Sequence, residues 1–354
     1  MNNKLFLIMA SIGVPVSVIG SFMHWPSLVM FLVYCLTIIA LASFMGRATE
    51  SLAVVLGPRI GGLLNATFGN AVELIISFFA IQAGLIEVVL ASLTGSVIGN
   101  LLLVGGLSFF VGGLKYKTQR FNEHDARHNA GLLVFAVLVA FVIPEVFSQK
   151  MDYGETVSLS VGISIIMIIL YIAALFFKLV THRGVYQPKG EETENPALEE
   201  HPEWPKKKAL WILLVSTVAV AYVSENLVHT FEAVGESLGW SDLFIGVIVV
   251  AIVGNAAEHA SALIFARKNK MDVAVEIAVG STLQIAMFVA PILVLLSLLF
   301  STSMPLVFTL PELIAMSTAV FLNIVLTNDG ETNWFEGATL LAAYLIMGIG
   351  FYLL

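Results

Sequence analysis

Apolar stretches of about 20 residues follow one another along this chain, and each is long enough to cross ~30 Å of hydrocarbon at 1.5 Å of helix rise per residue. Eleven can be drawn, at approximately 5–22, 26–46, 61–81, 86–112, 129–147, 156–179, 208–229, 243–265, 273–299, 306–327 and 335–354. Lipid offers no partner to backbone N–H and C=O groups, so a spanning segment must satisfy them within itself, as a helix does. With 58% hydrophobic and 12% charged residues, the chain has too little polar surface for a soluble alternative. The first stretch, which follows Lys4, resembles a signal peptide, but no small-x-small site precedes His24-Trp25, and it is read as a span.

Basic residues orient the spans. If the N-terminus is cytoplasmic, sixteen of the seventeen Lys and Arg residues fall in inside segments and only Lys150 falls outside. This predicts a multi-pass protein of a cell membrane with its C-terminus outside. The net charge of −8 resides in the loops and carries no information about the fold, and nothing indicates nucleic-acid binding. The single cysteine, Cys35, excludes an intrachain disulfide and a Cys-rich metal site.

Within the spans one pattern occurs twice. Gly69-Asn70-Ala71-Val72-Glu73 returns 185 positions later as Gly254-Asn255-Ala256-Ala257-Glu258, and the same offset carries Gly95-Ser96 onto Gly280-Ser281. The segment 182–206 is polar and acidic, with Glu191, Glu192, Glu194, Glu199, Glu200 and Glu203, and reads as a solvated cytoplasmic linker. Five spans lie on each side of it once the first is set aside. Because five is odd, two homologous halves enter the membrane from opposite faces, the inverted-repeat plan of many secondary transporters. The expected fold is an all-α polytopic membrane protein: an N-terminal helix at 1–24, a first inverted five-helix repeat at 25–181, the linker, and a second repeat at 207–354.

A carboxylate inside a span is costly and marks a functional site by default. Glu73 and Glu258 both fall near mid-membrane, and no intramembrane Lys or Arg is present to pair them. Asn70, Glu73 and Ser77 follow helical spacing on one face, as do Asn255, Glu258 and Ser261; the next spans add Ser96 with Asn100 and Ser281 with Gln284. This all-oxygen set suits a hard divalent cation such as Ca2+, which takes 6–8 oxygen ligands at roughly 2.3–2.6 Å. Two carboxylates neutralise one such ion and, left together in low dielectric, take up protons in its place. Exchange of cation for protons follows.

Weaker signals surround this set. Glu50 and Glu225, in Thr-Glu-Ser-Leu and Ser-Glu-Asn-Leu settings near opposite ends of their spans, are possible gating or pathway residues or solvated helix ends. His259 stands beside Glu258, where it tunes proton affinity or packs on a neighbouring helix. Glu87, Asp272 and Glu276 read as helix-start residues. Nothing indicates ATP use, hydrolysis or any other enzyme activity, and no cofactor is expected beyond transported Ca2+ and H+. The expected surroundings are the bilayer, with a homo-oligomer left open.

The two signatures, extended to Gly95-Ser96-Val97-Ile98-Gly99-Asn100 and Gly280-Ser281-Thr282-Leu283-Gln284, resemble the alpha-repeats of the Ca2+/H+ antiporters, the cation/proton exchanger branch of the Ca2+:cation antiporter superfamily. The resemblance covers nearly the whole chain. It implies that Glu73 and Glu258 bind Ca2+ and carry protons, with Asn70, Asn255, Ser96, Ser281 and Gln284 completing the pathway. With the short tails read here, the N-terminal autoinhibition of plant relatives is not expected. A Na+-coupled exchanger shares the architecture, but its Gly-Thr-Ser-x-Pro-Glu repeat differs from the Asn-containing, Pro-free signatures here. A cation channel fits the inverted halves poorly, and a membrane metalloenzyme lacks His-x-x-x-His spacing.

Overall fold

A computed structural model of the chain describes residues 3–181 and 202–354, so the linker acids from Glu191 to Glu200 lie outside the described residues. Helix α1 (Asn3–Phe22) precedes α2 (Ser27–Leu56), α3 (Pro58–Phe68) and α4 (Ala71–Gln82). Helix α5 (Ile86–Ile98) continues through a π-helical stretch, Gly99–Val104, into α6 (Gly105–Lys115). Helix α7 (Glu123–Val134) continues through Phe135–Val142 into α8 (Ile143–Ser148), and α9 (Tyr153–Phe176) ends in the π-helical Phe177–Thr181.

The second half runs α10 (Lys206–Val228), α11 (Phe231–Leu238), α12 (Asp242–Phe244), the π-helical Ile245–Val250, α13 (Ala251–Gly254) and α14 (Ala256–Arg267). Helix α15 (Met271–Gln284) passes through Ile285–Val289 into α16 (Ala290–Ser297), followed by α17 (Leu310–Thr327) and α18 (Trp334–Leu353). Ten helices are long and apolar enough to cross a membrane, or eleven if the pair 231–238 and 242–254, bent by 114°, forms one span. The span expected at 243–265 is thus two helices rather than one, interrupted at Asn255. The all-α fold has one addition, a two-residue antiparallel ladder pairing Gln119 with Thr332 and Arg120 with Glu331.

Outer helices bury one stripe and expose the rest, whereas α5 is buried on every face from Val88 to Ile98. On α2, Met30, Tyr34, Ile38, Leu41, Met45, Ala48 and Leu52 recur at helical spacing and are all buried, and this stripe faces inward, where α10 runs alongside. Leu210, Trp211, Leu214 and Val218 on α10 and Ile165, Ile169 and Ile172 on α9 are exposed. Outside a bilayer such faces would be an aggregation hazard; inside one they match the solvent. Helix starts at the membrane edge carry capping boxes, Asp152 with Glu155, Thr309 with Glu312 and Asn333 with Glu336, which satisfy N–H groups that no preceding turn can.

The residue with which α10 begins follows a short described piece of the linker. Glu203 pairs with Arg47 at 3.1 Å, and the Arg47 guanidinium lies over both Phe44 and Trp204, whose rings stack. The end of the linker is thereby anchored on α2. On the same side of the molecule, Lys115 and Tyr116 reach the carbonyl of Arg267 and buried Gln119 donates to the carbonyl of Ala266, which together cap the last turn of α14. This side, where the basic residues gather, is called the basic side below.

Candidate functional site

Both signatures interrupt a helix at the same residue. Asn70 (φ −101°, ψ 18°) separates α3 from α4, and Asn255 (φ −103°, ψ 8°) separates α13 from α14. Near-identical dihedrals in segments of opposite sequence direction through the membrane are the backbone expression of the repeat. The break falls on Asn because its short polar side chain tolerates non-helical backbone. The continuous face drawn through Asn70, Glu73 and Ser77 therefore needs correction: Asn70 stands at the junction, and each Glu lies in the first turn of the helix that follows, where the positive end of the helix dipole favours negative charge.

Spans four and nine close on these breaks from the other side. Ser96 Oγ donates to Glu73 Oε1 at 2.5 Å, and Ser281 Oγ donates to Glu258 Oε2. The asparagines reach across the halves: Asn255 Nδ2 donates to Ser96 Oγ at 2.9 Å, and Asn70 Nδ2 donates to Gln284 Oε1 at 2.5 Å. The site is thus built at the seam between repeats: each Glu–Ser bond lies within one half, and each Asn bonds across to the other.

The signature glycines make room for this crossing. A methyl group on Gly254 would stand 3.4 Å from Cβ of Glu73, and one on Gly69 would stand 3.2 Å from Glu258 Oε1 and 2.7 Å from the carbonyl oxygen of Asn65. Each Glu therefore packs against the other repeat's Gly, a reason for the Gly-Asn-Ala pattern that sequence alone does not disclose.

Glu73 is fully buried and Glu258 is half-buried. Neither takes part in any of the ion pairs found among the described residues, which join Arg47 to Glu203, Arg120 to Glu331, Arg127 to Glu123 and Lys178 to Glu276. Several buried polar atoms here have no protein partner: Asn70 Oδ1, Glu73 Oε2, Ser77 Oγ, Asn100 Nδ2 and His259 Nε2. Buried groups of this kind are normally satisfied, so the cluster has capacity for a polar guest. Its oxygen-rich character fits a hard cation, and among the described residues no group of three or more His, Cys, Asp or Glu forms a conventional resident-metal cluster.

The remaining expected residues divide. Asn100 and Ser77 are buried within the same region, Asn100 in the first turn of the π-helical stretch that follows α5. Glu50 and Glu225 are exposed on α2 and α10. Glu276 is not a helix-start residue; it sits in the second turn of α15 and pairs with Lys178 of the α9 extension. Sequence reading passed over Glu312, which like Glu73 is buried and which accepts from Thr94 Oγ1 at 3.1 Å, two residues before Ser96. The Thr309-x-x-Glu312 capping pattern was its available signal.

The two sides of the cluster are packed unequally. Toward the side where α5 and α12 begin, α5 touches the π-helical 245–250 so closely that a methyl group on Gly95 would lie 2.0 Å from the carbonyl oxygen of Val247. On the basic side the equivalent Gly280 has no atom within 4 Å of that position. The seam beside Gly280 is therefore the looser of the two.

Membrane-length apolar helices, two of them broken at a repeated Asn with a carboxylate in the following turn, give the fold class of a secondary transporter. The model of the sodium/calcium exchanger protein family matches residues 26–180 and 208–353, and the chain belongs to that family. It is 72% identical over 353 residues to the Ca(2+)/H(+) antiporter ChaA of Bacillus subtilis (strain 168), covering 99% of this chain and all of that one. It is 45% identical to the Ca(2+)/H(+) antiporter of Aphanothece halophytica, over 96% and 94% of the two chains. A solved structure of native YfkE superposes with a TM-score of 0.87 at 67% identity, covering 99% of this chain and 100% of that one.

Proposed function

We propose that this chain is a Ca2+/H+ antiporter in which one site, built on Glu73 and Glu258, alternately carries Ca2+ and protons. The observation that carries this reading is the pair of signature carboxylates at the repeat interface, each held by a serine and neither paired with a cationic side chain among the described residues. Ca2+ entering from the basic side meets Glu258 first and then Glu73, and its two charges are balanced by the two carboxylates. Asn70, Asn255, Ser96, Ser281 and Gln284 hold and orient them and supply neutral oxygens, and Asn100 and Ser77 border the path. When Ca2+ leaves on the other side, protons replace it on the carboxylates, so the reloaded site can return without net charge buried in low dielectric.

By the distribution of basic residues the basic side is cytoplasmic, and the exchanger exports Ca2+ from the cytoplasm of a cell in whose membrane it sits. The names of the relatives support protons as the counter-ion; the Asn-containing, Pro-free signatures point the same way. Residues 25–181 and 207–354 act as the two inverted halves, with 1–24 as an appended helix. Calcium uptake into inside-out vesicles under an imposed pH gradient tests this reading. Uptake driven by a Na+ gradient and indifferent to pH would replace it with Na+-coupled exchange, and flux without a counter-ion would make the protein a channel.

A further inference from the structure

The inverted repeat makes the tightly packed seam on one side of the site a template for the seam on the other. In the closed seam, Gly95 of α5 lies against the carbonyl of Val247, and Gly246 lies against α5 so closely that a methyl group there would stand 2.5 Å from Ala91 Cβ and from the Val88 carbonyl oxygen. An offset of 185 positions maps Gly95 onto Gly280, Ala91 onto Glu276, Val88 onto Val273, Gly246 onto Gly61 and Val247 onto Gly62. Glycine thus recurs at both close-approach positions of the basic-side seam.

That seam is not made. Gly280 has open space around it, Gly61 lies against Ala53 of α2, and Gly62 lies against Leu179, whose Cδ2 is 2.9 Å from where a methyl group would stand. Leu179 belongs to Phe177–Thr181, the π-helical end of α9, and its neighbour Lys178 pairs with Glu276 on α15. This short segment therefore touches α3 through one residue and α15 through the next.

We infer that Phe177–Thr181 is a doorstop in the basic-side gate, holding α3 away from α15 while the site is open to that side. Release of Leu179 from Gly62 and of Lys178 from Glu276 lets Gly61 and Gly62 close on α15 at Val273, Glu276 and Gly280, as Gly246 and Val247 now close on Val88, Ala91 and Gly95. Gly61 is small enough to receive the stem of Glu276. The inference rests on alternating access of two inverted halves, and it is independent of which ion is exchanged.

A cross-link tests it without reference to cation or proton. In a Cys35→Ser chain, Gly61→Cys and Val273→Cys place thiols on the two faces that meet only when the seam closes, and disulfide formation requires Cα atoms within about 7 Å. In liposomes, the yield after brief oxidation should rise about fivefold when Lys178→Ala and Leu179→Ala are added, the scale of one exposed ion pair even before the Leu contact is counted. Gly280→Ala should lower it, because the added methyl group is free in the open seam and obstructs the closed one. Leu179→Val, a smaller change, serves if the double variant inserts poorly. Yields unaffected by the doorstop substitutions, or absence of the cross-link in every variant, would overturn the proposal.

Discussion

Replacing Glu73 by Gln isolates the charge of the buried carboxylate from its geometry. Glutamine keeps an oxygen that accepts from Ser96 Oγ, so the Asn255–Ser96 chain is retained, and only the charge is lost. A unit charge facing another at about 4 Å is worth ~4 kcal/mol at an effective dielectric of about 20, and a divalent ion raises this further before desolvation offsets part of it. A net loss near 4 kcal/mol is on the order of 1,000-fold in Kd. Glu258→Gln should cost less, because the half-buried Glu258 is reached by water and its charge is better screened. Calorimetry of Ca2+ binding to the purified protein gives the affinities, and vesicle exchange gives the functional loss. Near-wild-type binding and exchange by Glu73→Gln would refute the assignment of this carboxylate. A larger loss at Glu258 than at Glu73 would refute the argument from burial.

Three further outcomes are expected. Competition between Ca2+ and protons for one site means that affinity rises with pH and that binding releases protons over the same range; calorimetry in buffers of different ionisation enthalpy measures that release, and its absence between about pH 5 and 8 would separate the two paths. Gly69→Ala should impair transport more than Gly254→Ala, since its methyl group meets a backbone carbonyl oxygen at 2.7 Å and the other meets a side-chain carbon at 3.4 Å; equal vesicle uptake rates would contradict the packing argument. Replacing Glu191, Glu192, Glu194, Glu199 and Glu200 with Gln should leave maximal uptake intact and alter at most the apparent Ca2+ affinity at low salt, because exposed charges are screened within ~8 Å at physiological ionic strength.

The sequence by itself determined the membrane class, the near-complete set of spans and a set of candidate site residues, because lipid restricts a spanning segment to a helix and makes an unpaired carboxylate stand out against apolar neighbours. The 185-residue repeat was equally legible, since it is carried by identities at Gly, Asn, Glu and Ser rather than by contacts. Tertiary structure decided which neighbours each of those residues meets. That Asn255 bonds Ser96 and Asn70 bonds Gln284 depends on how two halves with opposite directions interleave, and spacing within one helix cannot report a partner more than 150 positions away. The helix break at each Asn was hidden because a continuous apolar run reads the same whether or not it is interrupted. The unequal seams beside Gly95 and Gly280 lie beyond sequence altogether: the repeat makes the two sides equivalent, and only the conformation the chain adopts distinguishes them.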